Sequence, residues 1–326
     1  MNELYPLKFE PILKDKIWGG SKLRNLPGKR KASDKCGESW EISGVEDNIS
    51  VVSKGFLKGN NLQELIEIYM GDLVGDKIFD QFGLEFPLLV KFIDANDILS
   101  IQVHPDDEMA AKKHNAFGKT EMWYIMEAED DAQLISGFNR KTSKEEYLSF
   151  LNSGKITDLL NYESVTKGDV FFIPAGRVHA IGQGILLAEI QQTSDVTYRI
   201  FDFDRPGDDG EPRELHTELA LEAIDFNHYP NYKTSYTKEL NKTVPTVSSD
   251  YFTTNIIHLN MSIEKDYTLL DSFVIYLCTE GKLEIEPANQ PPVLLNKGET
   301  LLIPALINQV MLKPVEESVL LEVYVE

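Results

Sequence analysis

Apolar positions along most of the chain come in short runs or in strict alternation, broken by Gly, Pro, Asn and Asp. Such runs predict β-strands, and turn residues at their ends predict many short ones. Helical spacing is confined to three places. Leu62, Leu65, Ile66, Tyr69 and Leu73 recur at it within 61–79. Ser143-Lys144-Glu145-Glu146 reads as a capping box that opens a helix through about Leu160. A third helix is predicted from Arg213 to Ile224, after the turn material 206–212. The pattern therefore predicts a mainly β protein, a sandwich or barrel with a few helical insertions.

A repeat lies inside this pattern. Lys167-Gly168-Asp169-Val170-Phe171-Phe172-Ile173-Pro174-Ala175 is matched by Lys297-Gly298-Glu299-Thr300-Leu301-Leu302-Ile303-Pro304-Ala305. Each copy reads as a tight turn, an apolar strand and a proline that ends pairing. An apolar strand precedes each, 122–126 in one and 273–278 in the other. The copies differ in chemistry: five residues past its proline the first has His179 and the second Gln309. The polar stretch 228–249 reads as a linker, and the chain divides into 1–240 and 241–326.

Composition narrows the function. A formal charge of −21 excludes a nucleic-acid-binding role, which needs a basic surface. It also means that any anionic substrate requires a local cluster of Lys and Arg. The basic run Lys29-Arg30-Lys31 reads as a solvated loop. No apolar stretch is long enough to span a membrane, and the first residues carry no secretory signal. Cys36 and Cys278, far apart and in ordinary surroundings, fit a reducing cytoplasm.

The chemistry concentrates between residues 100 and 200. In Ser100-Ile101-Gln102-Val103-His104-Pro105, strand alternation puts Ser100, Gln102 and His104 on one face. Glu121 opens an apolar strand after Lys119-Thr120, and His179 closes the run that begins at Ile173. Gln102, His104, Glu121 and His179 offer an amide oxygen, two imidazoles and a carboxylate. That set suits a divalent ion with positions left open for water or substrate. Lys91, inside the apolar run 88–93, is either buried beside a partner or turned inward, and burial would lower its pKa toward neutrality.

Trp18-Gly19-Gly20, Gly37-Glu38-Ser39-Trp40, Gln102–Pro105, Lys119–Glu121, Pro174–His179 and Tyr198–Arg205 occur in an order that resembles the type I mannose-6-phosphate isomerases, in their short bacterial form. The likeness spans about the first two-thirds of the chain, with weaker motifs beyond. It implies two cupin-type (jelly-roll) β-barrel domains, the second degenerate. It also implies interconversion of mannose 6-phosphate and fructose 6-phosphate, with one Zn²⁺ per chain on Gln102, His104, Glu121 and His179. Other divalent metals would fit the same donors. Arg199 is implied at the mouth of the site, Ser100 and Arg205 at the phosphate, and Trp18 on the wall. Lys119 joins the cationic pocket, and the proton-shuttling base is Lys91 or Glu41. The expected partner is a small sugar phosphate, with no nucleic acid and no membrane, for a cytoplasmic monomer or homodimer. A non-catalytic sugar-binding cupin and a different metal-cupin enzyme are the competing readings.

Overall fold

The computed structural model describes residues 4–207 and 210–326, so part of the expected 206–212 turn lies outside the described residues. Its strands form four sheets stacked face to face. The first has five strands in the order Tyr198–Phe201, Ile101–Val103, His179–Ala180, Gln133–Phe138 and Leu160–Ser164. The second has seven: Ile12–Gly20, Cys36–Ile42, Leu88–Ala95, Ile185–Gln192, Glu121–Ala128, Val170–Ile173 and Lys233–Thr234. The third has five: Thr243–Ser248, Thr253–Leu259, Ser318–Tyr324, Val274–Glu280 and Thr300–Ile303. The fourth has four: Ile263–Asp266, Gln309–Pro314, Lys282–Pro287 and Val293–Asn296.

Alternation assigns each strand face to its own apolar layer. Ile93, Trp123, Ile125, Phe171 and Leu187 of the second sheet meet Leu134 of the first. Their neighbours Val90, Phe92, Tyr124, Leu186 and Ala188 point the other way, against Ile256, Ile275, Leu321 and Val323 of the third. Between the third and fourth sheets lie Ile257, Leu320, Leu283, Ile285 and Leu312. The back of the first sheet is covered by the helices Lys144–Asn152 and Thr217–Ala223 through Tyr147 and Ala220. The molecule is mainly β, as its pattern predicts, but the sheets remain open sandwiches rather than closed barrels.

Several boundaries move. The helix expected over 61–79 is three helices, Leu62–Tyr69, Gly71–Val74 and Asp76–Phe82, broken at Met70 (φ 46°) and Gly75 (φ 98°). A Cβ on Gly75 would sit 2.4 Å from the Asp271 carbonyl oxygen, so only glycine fits that corner. The helix expected through Leu160 ends at Asn152, where the chain turns at Gly154 (φ 71°) into a 3-10 turn, Ile156–Leu159, that leads into the strand Leu160–Ser164. The stretch 228–249 contributes a strand to each of the second and third sheets and is not a free linker. Lys29, expected in a solvated loop, is buried. Its ammonium meets Glu41 at 3.1 Å and the Gly298 carbonyl oxygen at 2.6 Å. No helix among the described residues is long and apolar enough to cross a membrane.

Candidate metal centre

The space between the first two sheets is apolar except at one end. Ile101, Val103, Val178 and Ala180 pack on the back of the first sheet, so the alternate residues Gln102, His104 and His179 face inward. Gln102 is the cross-strand partner of both Arg199 and His179, and Ser136 follows His179, so these four form one row on the inner face. From the second sheet Glu121 faces them, with Trp123 beside it. The two imidazole-bearing segments are tied by the Gly176 amide, which donates to the His104 carbonyl oxygen at 2.9 Å. Gly176 makes that turn at φ 84°.

Each imidazole is oriented from behind. His104 Nδ1 lies 3.1 Å from the Val196 carbonyl oxygen, and His179 Nδ1 lies 2.8 Å from that of Arg177. A carbonyl only accepts, so both Nδ1 atoms carry the proton and both Nε2 lone pairs are free. Those Nε2 atoms and Glu121 Oε2 are buried without a hydrogen-bond partner among the described residues. The ligand atoms of His104, Glu121 and His179 all lie within 4.8 Å of one another. Buried orphan acceptors are costly, and three converging on one point are the donor set of a metal ion. The three residues fit such an ion, and the inward Gln102 amide stands beside them in the same row.

Electrostatics keep these donors in ligand form. Burial, with the Lys119 charge, pushes His104 down to about 3. Burial also lowers His179. Burial alone would raise Glu121, but Lys119 and the two imidazoles overcome it and hold the carboxyl well below its usual range. Lys119 Nζ stands 3.2 Å from Glu121 Oε1.

Other expected site residues divide. Lys91 is buried and faces the site, but not as a neutral base. Desolvation pulls its pKa down, and Glu189, Glu38 and Glu121 more than restore it, so the ammonium is held above its normal value. It donates to Glu189 Oε1 at 2.8 Å and Gln191 Oε1 at 2.6 Å. Glu41 lies elsewhere: it binds Ser39 and Lys29 on the opposite face of the sheet, beside Phe92. Arg205 is engaged by Asp97, Ile98 and Asp202, beneath the segment that carries Ser100. Ser100 is buried just before its strand, and Trp18 is buried in the apolar layer between the two sheets. Arg199 is half-buried; one guanidinium nitrogen donates to the Glu214 carbonyl oxygen, while its buried Nε has no partner among the described residues.

Three residues that contact the expected site residues were missed. Glu189, buried among Leu187, Ala188 and Ile190, accepts from Trp123 Nε1 at 2.9 Å as well as from Lys91. A charged residue inside an apolar strand was the available signal. Glu38 shares the face of Lys91 and binds the Trp40 indole at 2.7 Å. Arg177, whose carbonyl orients His179, is clasped between the rings of Tyr229 and Tyr232, each 4.7 Å away.

Residues 6–133 match the family described as phosphomannose isomerase type I, catalytic domain. The chain is 35% identical over 318 residues to the mannose-6-phosphate isomerase ManA of Bacillus subtilis, covering 96% of this chain and 98% of that one. The chain belongs to the type I phosphomannose isomerase family. A mannose-6-phosphate isomerase of Streptococcus mutans is 36% identical over 303 residues, covering 93% of each chain. The crystal structure of the Bacillus subtilis mannose 6-phosphate isomerase superposes with a TM-score of 0.86 at 32% identity, covering 98% of this chain and 99% of that one. As a type I phosphomannose isomerase the chain is an enzyme, and the cluster just described falls between its two N-terminal sheets.

Proposed function

We propose that this protein interconverts mannose 6-phosphate and fructose 6-phosphate, using one divalent ion per chain, zinc, held by Gln102, His104, Glu121 and His179. The observation that carries the reading is the convergence of three buried donor atoms, unpartnered among the described residues, beside the row that joins His179 to Arg199. The match over 96% and 93% of this chain to relatives named mannose-6-phosphate isomerase supports the substrate.

Aldose–ketose isomerisation moves a proton between C1 and C2 through an enediol-type intermediate, and charge grows on the neighbouring oxygens. When bound, the ion would supply Lewis-acid polarisation of the sugar oxygens. The chain supplies the rest. The Lys91 and Lys119 ammoniums, fixed by Glu189 and Glu121, present hydrogens to the oxygen that becomes negative. They act as charged donors, so neither Lys91 nor the distant Glu41 is the base. Arg199, half-buried in the row with Gln102 and His179, grips the phosphate through its guanidinium, and the Ser100 hydroxyl adds a donor. Arg205 acts through Ser100 by holding the Ile98 carbonyl oxygen beneath it. Trp18 closes the wall against water. Residues 1–240 and 241–326 are read as two cupin-type units, the second without ligands.

The test is mannose 6-phosphate turnover after chelation and readdition of single metals. Zinc should restore it. His179→Ala should lose both bound metal and turnover, whereas Arg199→Ala should keep the metal and lose most activity. Normal turnover by fully metal-free protein would sink the proposal.

A further inference from the structure

The repeat seen in the sequence can be followed residue by residue through the pairing registers. Ile173 stands opposite Glu121, and Ile303 opposite Val274. Two residues earlier, Phe171 opposes Trp123 and Leu301 opposes Tyr276. The rows continue: Trp123 to Glu189 to Lys91 in the second sheet, and Tyr276 to Glu322 to Asn255 in the third. Glu322 is therefore the counterpart of Glu189, Asn255 of Lys91, and Val274 of the metal-cluster residue Glu121. Gln309, counterpart of His179 by its distance from the proline, is turned out to solvent, since Val310 takes the inward place. The second sandwich has Val274 and Gln309 in place of the Glu121 and His179 donors, yet it keeps a buried carboxylate at the point equivalent to Glu189.

That carboxylate is elaborately held. Glu322 is 1% exposed. It accepts from Asn255 at 2.9 Å and from Tyr267, and it pairs with Lys265 at 2.8 Å. Lys265 also donates to Thr243 at 2.6 Å. Tyr324 Oη lies 3.5 Å from the Asn255 amide. These groups line a cleft of about 490 Å³ that opens at the end of the sheet where the first sandwich has its metal cluster, with the fully exposed Leu269 at its rim. A network of this kind in a merely structural core would be closed over. This one leaves the Tyr324 hydroxyl hydrogen without an acceptor among the described residues, and it holds the Lys265 ammonium at the cleft between Thr243, Glu322 and the Tyr267 ring.

We propose that the C-terminal half carries a second, metal-independent site, in the Glu322–Lys265–Tyr324 cleft, for an unphosphorylated pyranose. Charge decides against an anion: Lys265 is the one cation on a lining that also holds Glu322, Asp266 and Glu326. A bare metal ion is disfavoured too, since both oxygens of Glu322 already accept from neutral or cationic donors. A neutral ring with hydroxyls around its edge and an apolar C–H face matches a lining of Lys, Asn and Tyr donors next to Leu269 and Leu270. The site uses none of the metal-cluster residues, so it stands or falls independently of the isomerase reading.

Equilibrium dialysis with radiolabelled methyl α-mannopyranoside tests it, because a blocked anomeric carbon cannot be isomerised. One saturable equivalent per chain is expected, and His179→Ala should leave its affinity unchanged. Tyr324→Ala and Lys265→Met should each weaken binding about fivefold or more, the equivalent of a lost hydrogen bond. Tyr324 is only partly buried, so its variant should fold even if Lys265→Met does not. Three results would each overturn the proposal: absence of saturable binding, binding that survives Tyr324→Ala, or binding that His179→Ala removes.

Discussion

Nδ1 of His104 and of His179 each faces a backbone carbonyl, and although their Nε2 atoms face Glu121, burial outweighs its attraction and disfavours a second proton on either ring. In the unfolded chain both would titrate near 6.5. In the fold His104 is pushed down to about 3 and His179 is lowered. Folded values below unfolded ones mean that the unfolded state binds more protons as the pH falls, so stability present above about pH 6.5 is lost below it. Urea unfolding of the metal-free protein should show stability dropping by up to about 1.4 kcal/mol per pH unit for each imidazole between about pH 6 and pH 5. The double variant His104→Gln, His179→Gln should show a flatter profile; an unchanged slope would contradict the assignment. At this scale the sequence singled out His104, Glu121 and His179, which the fold brings together, and alternation alone put Gln102 and His104 on one face. The electrostatics of Lys91 were not, since Glu189 and Glu38 reach it from other strands. Glu41 was misplaced for a simpler reason: Glu38 and Trp40 face the site, so their odd-numbered neighbour faces away.

Among the elements, two helix starts share the sequence spacing of a capping box but differ in structure. Asn61 accepts from the Glu64 amide, and the Glu64 carboxylate reaches back to the Asn61 amide, both bonds being present. At Ser143 the first bond forms, but the Glu146 carboxylate is drawn to Arg140 at 2.9 Å. Asn61→Ala should therefore cost about 1 kcal/mol, and Ser143→Ala less, read as shifts in the urea midpoint. Equal losses would show that the reciprocal bond contributes nothing. Spacing marked the box at Ser143 and apolar periodicity the 61–79 helix, although Asn61 and Glu64 carry the same capping signal and that helix breaks at Met70 after two turns. Strand identities were the easier part: the apolar runs at 88–93 and 170–173 sit in sheets as expected, since each is buried on both faces. Where the pattern was polar, at 228–249, pairing decided the structure instead, and no local signal announced it.

On the scale of the whole molecule, the second and third sheets share one apolar layer, and the Lys29–Glu41 pair crosses it to the Gly298 carbonyl oxygen. Removing one member of a buried pair strands the other's charge, which typically costs about 3 kcal/mol or more. Glu41→Ala should lower the melting temperature markedly while the folded fraction keeps its turnover. A stable but inactive variant would return Glu41 to the candidate bases. The sequence repeat anticipated two related halves, but not that one sheet of each would press against the other. That contact depends on which face of each strand is apolar, and strands buried on both sides give no hint of it. The same layering has an optical consequence. The protein has three tryptophans, and all lie in the first pair of sheets. Trp18 packs in its apolar layer, Trp40 sits under the Lys91 ammonium at 5.4 Å, and the Trp123 ring stands 5.4 Å from that of His179. Intrinsic fluorescence excited at the indole band thus watches one half alone, brightening or dimming as the imidazole cluster fills, while events in the tyrosine-only half pass unseen.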